Sequence, residues 1–213
     1  MLDFLKPVTI TYGITVCNED KDLKVLLDVL IPLVDSNDEI IVLRDMTTPD
    51  ENVGKVLEDY QSKIKVIESE LNGDFASFKN NLIMNAKCKF LFQIDADEYP
   101  TKDLIKKLKP YLRKQKKIEC FFVPRINIVE GISEKYIREM NWTVNDKGYI
   151  NFPDYQARII KNNKKIFWKN KVHEVFYGNV NDMRLPEDFS LSLIHKKTFE
   201  KQRKQNEFYE TLD

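Results

Sequence analysis

Phe90-Leu-Phe-Gln-Ile-Asp-Ala-Asp-Glu98 is the stretch on which the fold turns. Its first five residues are almost wholly apolar, the pattern of a short strand covered on both faces of a sheet. The run breaks directly into two carboxylates, Asp95 and Asp97, separated by one small residue. Open parallel sheets bind ligands outside the carboxyl ends of their strands, so these acids stand where a ligand site is expected. Two like charges this close, left alone, would raise one pKa and cost stability. A divalent cation removes that conflict, since Mg²⁺ and Mn²⁺ take carboxylate, phosphate and water oxygens, and a diphosphate can complete the set. A solvated turn, or a cap for the next helix, is the plainer use of the same residues.

Upstream, the β-branched run Val8 to Val16 reads as a first strand ending in the polar loop Cys17–Asn18–Glu19. Leu23, Leu26, Leu27 and Leu30 follow at helical spacing, with Asp20 or Asp22 as N-cap. Glu39 to Leu43 predicts a second strand, Val53, Val56, Leu57 and Tyr60 a second helix, and Ile64, Val66 and Ile67 a third strand. Asn72–Gly73–Asp74 is a turn before a helix from Phe75 to Ala86. Downstream, Thr101 caps a helix carrying Leu104, Ile105 and Leu108, which Pro110 is expected to end or kink.

This alternation predicts an α/β fold, a mostly parallel sheet with helices on both faces. Cys120 to Val123 reads as a further strand, and from Pro124 to Pro153 the pattern weakens. Strand candidates are Tyr155 to Ile160, Lys165 to Trp168 and Ser190 to Ile194, before a charged helix from Thr198 to Leu212. No linker or repeat divides the chain. The expectation is one domain over residues 1–213, with a nucleotide half at about 8–100, a more irregular acceptor half at about 101–195, and a helical tail at 196–213.

A chain of 213 residues suits one domain, and burial of about 70% of its unfolded surface is attainable at that size. Thirty-four basic residues against 34 acidic give net charge +0, so nothing recruits a polyanion and no nucleic-acid binding is expected. No apolar run approaches the ~20 residues of a membrane helix. Cys17, Cys88 and Cys120 are odd in number and far apart, which argues against a zinc ribbon or a disulfide framework. Met1–Leu2–Asp3–Phe4 carries an acid where a signal peptide has a basic region. A cytoplasmic setting is the expectation.

Phe90 to Glu98 resembles the hydrophobic strand and DxD motif of GT-A glycosyltransferases, in particular the inverting family two. Phe75-Ala-Ser-Phe-Lys-Asn-Asn-Leu82 is similar to the stretch before that strand, with Lys79–Asn80 where the family has Arg-Asn. An ammonium meets a phosphate as a point charge, without the bidentate fork. Thr11 to Glu19 resembles the first strand with its Asn-Glu ending, and Ile40 to Asp45 the second strand, whose terminal Asp reads the base. The family's two acids and Gly-Ser are replaced there by Arg44–Asp45–Met46–Thr47. The resemblance implies a Rossmann-like GT-A sheet and a nucleotide-sugar donor, a UDP-sugar foremost. It implies nucleotide contacts from Thr15, Asn18, Glu19, Asp45, Lys79 and Asp95, and a Mn²⁺ or Mg²⁺ ion held chiefly by Asp97.

Ile166-Phe-Trp-Lys-Asn-Lys-Val-His-Glu174 resembles the Trp…Val-His-Glu signature of a branch that includes bacterial surface-sugar transferases, and Arg158 matches an arginine usual before it. Inverting transfer needs a general base at the acceptor hydroxyl. Glu174 is the first candidate, with His173 orienting it or contacting the diphosphate, and Asp154 is the competitor. His195, after the apolar run Leu191 to Ile194, is by resemblance a second metal ligand. The acceptor is expected to be a glycan, a lipid-linked sugar or a protein side chain. The basic run Lys196 to Lys204 suits either peripheral contact with an anionic membrane or a solvated terminal helix.

Two other functions are compatible with the pattern. A nucleotidyltransferase making a nucleotide-sugar usually carries a Gly-rich phosphate loop after the first strand, where this chain has Cys17–Asn18–Glu19 and only 6 Gly overall. A non-catalytic nucleotide-binding relative would keep the fold without turnover.

Overall fold

Buried β-branched and aromatic runs assemble into a nine-stranded mixed sheet. The computed structural model describes residues 7–178 and 181–210, the side chains of 205–210 excepted. Met1 to Phe4, on which the export reading rests, and residues 211–213 of the expected tail lie outside the described residues.

In chain order the elements are β1 (Ile10–Val16), α1 (Asp20–Leu30), β2 (Glu39–Asp45), α2 (Glu51–Asp59), β3 (Lys65–Ser69), α3 (Phe75–Asn85) and β4 (Phe90–Asp95). Then come β5 (Glu98–Pro100), α4 (Lys102–Lys114), β6 (Cys120–Glu130), α5 (Glu134–Glu139), β7 (Tyr155–Lys161), β8 (Phe167–Lys169), β9 (Val175–Tyr177), β10 (Asp182–Arg184), β11 (Leu193–Thr198) and α6 (Phe199–Glu210). The sheet runs β3-β2-β1-β4-β7-β6-β11-β5, with β10 beside β6, and β8–β9 form a separate ribbon. Pairings among β1 to β4 are parallel, whereas β7 is antiparallel to both β4 and β6.

Alternate residues of each inner strand serve opposite layers. Ile40, Val42, Phe90 and Phe92 join α1, α2 and α4 on one face. Ile41, Leu43 and Leu91 join α3 and the β8–β9 ribbon on the other. Gly13 makes the second layer tight, because a Cβ there would meet methyl carbons of Leu91 and Leu82 at 3.0 and 3.1 Å.

Helix starts follow local capping chemistry. Asp50, Asp74 and Thr101 accept from backbone amides at the heads of α2, α3 and α4, satisfying donors that a helix start leaves unpaired. Helix α1 departs from expectation. Its N-cap is Glu19, and Asp20 and Asp22 lie inside the first turn, where they complement the helix dipole. Pro110 does not end α4, which continues to Lys114 because Leu104, Ile105, Leu108 and Leu112 anchor both sides of it. Residues 190–192 are not strand, and His195 lies within β11 instead of after it. The three-residue strands β5, β9 and β10 and the short α5 are too brief to show a period in the sequence.

Candidate active site

Strand order reverses about β1, with β2 and β3 on one side and β4 on the other. That switch point opens a crevice at the carboxyl ends of β1 and β4. Thr15 and Asp95 are register partners there, and the Thr15 hydroxyl donates to Asp95 Oδ1 at 2.8 Å. The Ala96 amide closes the turn on the Thr15 carbonyl at 3.0 Å.

Asp95 is not left to repel Asp97. Arg158, 5% exposed on β7, donates from Nη2 to Asp95 Oδ2 and to Glu98 Oε1, both at 2.7 Å. Glu98, 1% exposed, also accepts from Arg125 Nη1 at 2.9 Å. Arg125 continues to Asp154 Oδ2 at 2.7 Å. Burial alone would raise the Asp95 pKa, yet Arg158, Lys79 and Thr15 hold it well below the usual carboxylate range. A buried pair broken on one side leaves an uncompensated charge. Arg158→Met is therefore expected to lower unfolding free energy by about 3–5 kcal/mol, read by urea denaturation. A loss within error would show that Arg125 and solvent suffice for Glu98 and Asp95.

Asp97 faces different partners. Its Oδ2 lies 3.3 Å from His195 Nε2 and 3.4 Å from Lys201 Nζ, which reaches back from α6 and also meets Asp22 at 3.0 Å. Burial opposes ionisation, but His195 and then Lys201 keep the Asp97 carboxyl well below the ordinary range. His195 Nδ1 lies 3.0 Å from Asn127 Oδ1, and the Asn127 amide donates to Asp154 Oδ2 at 2.7 Å. That second bond fixes the amide with its oxygen toward the ring, so Nδ1 carries the hydrogen and Nε2 is turned toward Asp97.

A ring nitrogen turned toward a carboxylate, with the other ring nitrogen bonded to an amide oxygen, is the arrangement of metal-binding histidines. The pair therefore fits a divalent cation whose other ligands come from outside the protein. Among the described residues no three His, Cys, Asp or Glu side chains gather to hold an ion alone.

Lys79 comes from α3 and is itself buried. Its Nζ lies 2.5 Å from Glu174 Oε1, 3.8 Å from Asp95 Oδ1 and 5.2 Å from the centre of the Trp168 ring. The neighbouring signature residues position this pair. Asn80 accepts from the Trp168 amide at 2.8 Å and donates to its carbonyl at 3.0 Å. The Trp168 indole donates to Gln93 Oε1, and Gln93 Nε2 donates to the Lys79 carbonyl at 3.3 Å. The strand before the acids thus supports, through Gln93 and Trp168, the segment that carries Glu174.

Two adjoining compartments form one cleft. Thr15, Cys17, Glu19 and Asp45 line one, and Asp154, Arg158 and His195 line the other. Lys79, Asp95, Asp97 and Glu174 line both. Asp45 is buried and accepts from Thr47 N, Thr47 Oγ1 and Leu71 N at 2.8, 2.6 and 3.0 Å, so it also ties the loop around the first compartment. Burial, then Asp45 and Glu19, push the Cys17 thiol up to about 11. Glu19 itself accepts from the Cys17 and Asn18 amides at 2.9 and 3.1 Å.

Asn18 lies farther out, in a groove that also touches Asp45 and Asp97. His173 is exposed, has left-handed backbone (φ 51°) and lines, with Trp168 and Phe176, a pocket that adjoins the second compartment through Gln156, Arg158 and Glu174. Asp154 is engaged on every side by Arg125, Asn127 and Gln156, which outweigh burial and keep its pKa low. Glu98 closes the acidic stretch without any sign there that it is buried between two arginines, and Arg125, Asn127 and Lys201 carry no motif. Only the same-face spacing of Arg125 and Asn127 on β6 could have pointed to them.

A doubly layered sheet with an acidic turn at its switch point and a two-compartment cleft above it defines a glycosyltransferase domain of the GT-A class. The model of glycosyl transferase family 2 matches residues 11–178, and the chain belongs to that family. The fold is similar to that of TarS from S. aureus, with TM-score 0.62 and 13% identity over 89% of this chain and 37% of that one. TarS 1–349 in complex with UDP-GlcNAc gives TM-score 0.57 and 15% identity, again over 89% of this chain and 59% of that chain. This chain thus spans less than two thirds of the length of either. Curated protein sequences give no match. Among the described residues no helix is long and apolar enough to cross a membrane.

Proposed function

We propose that the chain transfers a sugar, with inversion, from a nucleoside-diphosphate sugar to an acceptor hydroxyl, and that the donor is a UDP-sugar. The observation that carries the proposal is the set of four residues shared by both compartments, because a transfer needs one boundary that touches donor and acceptor together. In this reading Thr15, Asn18, Glu19 and Asp45 face the nucleoside, and Lys79 meets the diphosphate. Glu174 takes the acceptor proton as the acceptor oxygen bonds to the anomeric carbon and the bond to the diphosphate breaks. Glu174 is preferred to Asp154 because one lysine holds it, whereas three side chains occupy Asp154. His173 supports the Glu174 turn and is assigned no contact with substrate. Asp95 positions the turn through Thr15 and Arg158.

Asp97 and His195 would hold a Mn²⁺ or Mg²⁺ ion, which supplies Lewis-acid stabilisation of the departing diphosphate when bound. Lys201, 3.4 Å from Asp97, favours a second reading in which an ammonium supplies that charge without metal. The acceptor (glycan, lipid-linked sugar or protein) and a cytoplasmic setting complete the proposal.

Calorimetric titration with UDP and with GDP, each with and without Mn²⁺, tests it. Saturable binding of UDP, strengthened by Mn²⁺, is the expected outcome. Binding of neither nucleotide would remove the donor site from this cleft. Pyrophosphate release from a nucleoside triphosphate would favour the nucleotidyltransferase instead.

A further inference from the structure

The β8–β9 ribbon carries a surface that the transfer reaction leaves unused. Its register pairs Phe167 with Tyr177, Trp168 with Phe176 and Lys169 with Val175. Successive residues of a strand point to opposite faces. Trp168 and Phe176 form the inner face, stacked with ring centroids 3.7 Å apart and packed in the core layer of α3. The outer face is Phe167, Lys169, Val175 and Tyr177, all exposed.

Eight large hydrophobic residues are exposed among the described residues, and three of them, Phe167 at 40%, Val175 at 53% and Tyr177 at 56%, sit on this six-residue ribbon. Scattered exposed apolar residues are ordinary, but a contiguous patch marks an interaction surface. The Phe167 and Tyr177 rings lie 5.5 Å apart, and Lys169 Nζ stands 5.1 Å from the Tyr177 ring centre.

Charge identifies the partner. From Lys161 to Lys171 the chain holds Lys161, Lys164, Lys165, Lys169 and Lys171 and no acid, within a protein whose net charge is +0. Lys164 is turned onto the last carbonyls of α3, with the Ala86 carbonyl at 3.0 Å. Lys169 stands at the aromatic pair, and Lys165 and Lys171, also exposed, flank β8 in the chain. Lys171 is close enough to Asp74 to add to the Ser77 hydrogen bonds in lowering its pKa. Aromatic rings flanked by lysines suit the headgroup zone of a bilayer, where the rings bury at the interface and the ammonium groups meet anionic lipid.

We propose that the outer face of the β8–β9 ribbon docks this protein on an anionic lipid bilayer. Val175 directly follows Glu174, so docking sets the cleft beside the headgroups. That last consequence rests on the transferase reading; the docking itself does not.

Co-sedimentation with vesicles tests the proposal, using phosphatidylcholine alone and with roughly a third phosphatidylglycerol. The native protein is expected to sediment with the anionic vesicles and not the neutral ones, and to be released by salt. The triple variant Lys165→Gln, Lys169→Gln, Lys171→Gln should lower the partition coefficient on the order of 10²-fold. The double variant Phe167→Ser, Tyr177→Ser should also lose binding, while Lys102→Gln with Lys106→Gln on α4, in the opposite layer, should not. Each variant is compared at unchanged melting temperature. Equal sedimentation with both vesicle types, or a triple variant that binds like the native protein, would overturn the proposal. UDP titration of the same samples reports separately on the donor site, so failure there counts against the transferase reading alone.

Discussion

Asp97→Asn is expected to abolish the Mn²⁺-dependent part of nucleotide binding, lowering affinity at least about 100-fold in the presence of metal. The substitution keeps shape and removes the charge. In the native site the carboxylate faces His195 Nε2 at 3.3 Å and Lys201 Nζ at 3.4 Å. An amide could still accept one hydrogen bond from Lys201, so the fold should hold. It would be a poor ligand for a hard cation, which prefers anionic oxygen. Titration with and without Mn²⁺ separates the two readings of the site. If the variant loses only the metal-dependent increment, Asp97 acts through a cation. If native and variant bind UDP equally tightly and ignore Mn²⁺, the diphosphate charge is met by Lys79 and Lys201, and the metal assignment to Asp97 and His195 fails.

That test matters because the acidic turn was legible in the sequence for a reason that the structure only half supports. The buried run Phe90 to Ile94 and its two acids are contiguous, so their place at a strand end follows from local pattern. Like-charge conflict between Asp95 and Asp97 argues for a cation when the segment is read alone. In the folded protein Asp95 is already compensated by Arg158, 63 residues away, and only Asp97 keeps a partner suited to metal. Lys79 and Glu174 were each readable from their own neighbourhoods, but their contact spans 95 positions and appears in no local pattern. The partners of Arg125, Asn127 and Lys201 are likewise distant in the chain, so their roles at the site appear in no local pattern. In the parallel half, β1, β2 and β4 are legible because they are continuous runs covered on both faces. The second half interleaves the longer strands β6, β7 and β11 with three-residue strands and loops, whose structure is set by what they pack against.

Glu174→Gln is expected to leave UDP affinity within a few fold and to lower sugar transfer by about 10²–10⁴-fold, the usual contribution of a positioned general base. Glutamine preserves the reach toward Lys79 and can accept its hydrogen bond, so the Trp168–Gln93–Asn80 support should stay in place. What is lost is the capacity to take a proton. The measurement is the transfer rate from a UDP-sugar donor across a panel of acceptors, with donor binding followed in parallel. Asp154→Asn is the comparison. Its carboxylate already accepts from Arg125, Asn127 and Gln156, so that variant should act chiefly through stability and the orientation of His195. If Asp154→Asn stops transfer at full stability while Glu174→Gln does not, the two carboxylates exchange roles. The Lys79–Glu174 contact would then serve the donor side alone. If neither variant slows transfer, proton removal falls to a group outside this cleft, and the two-compartment account of the reaction is wrong.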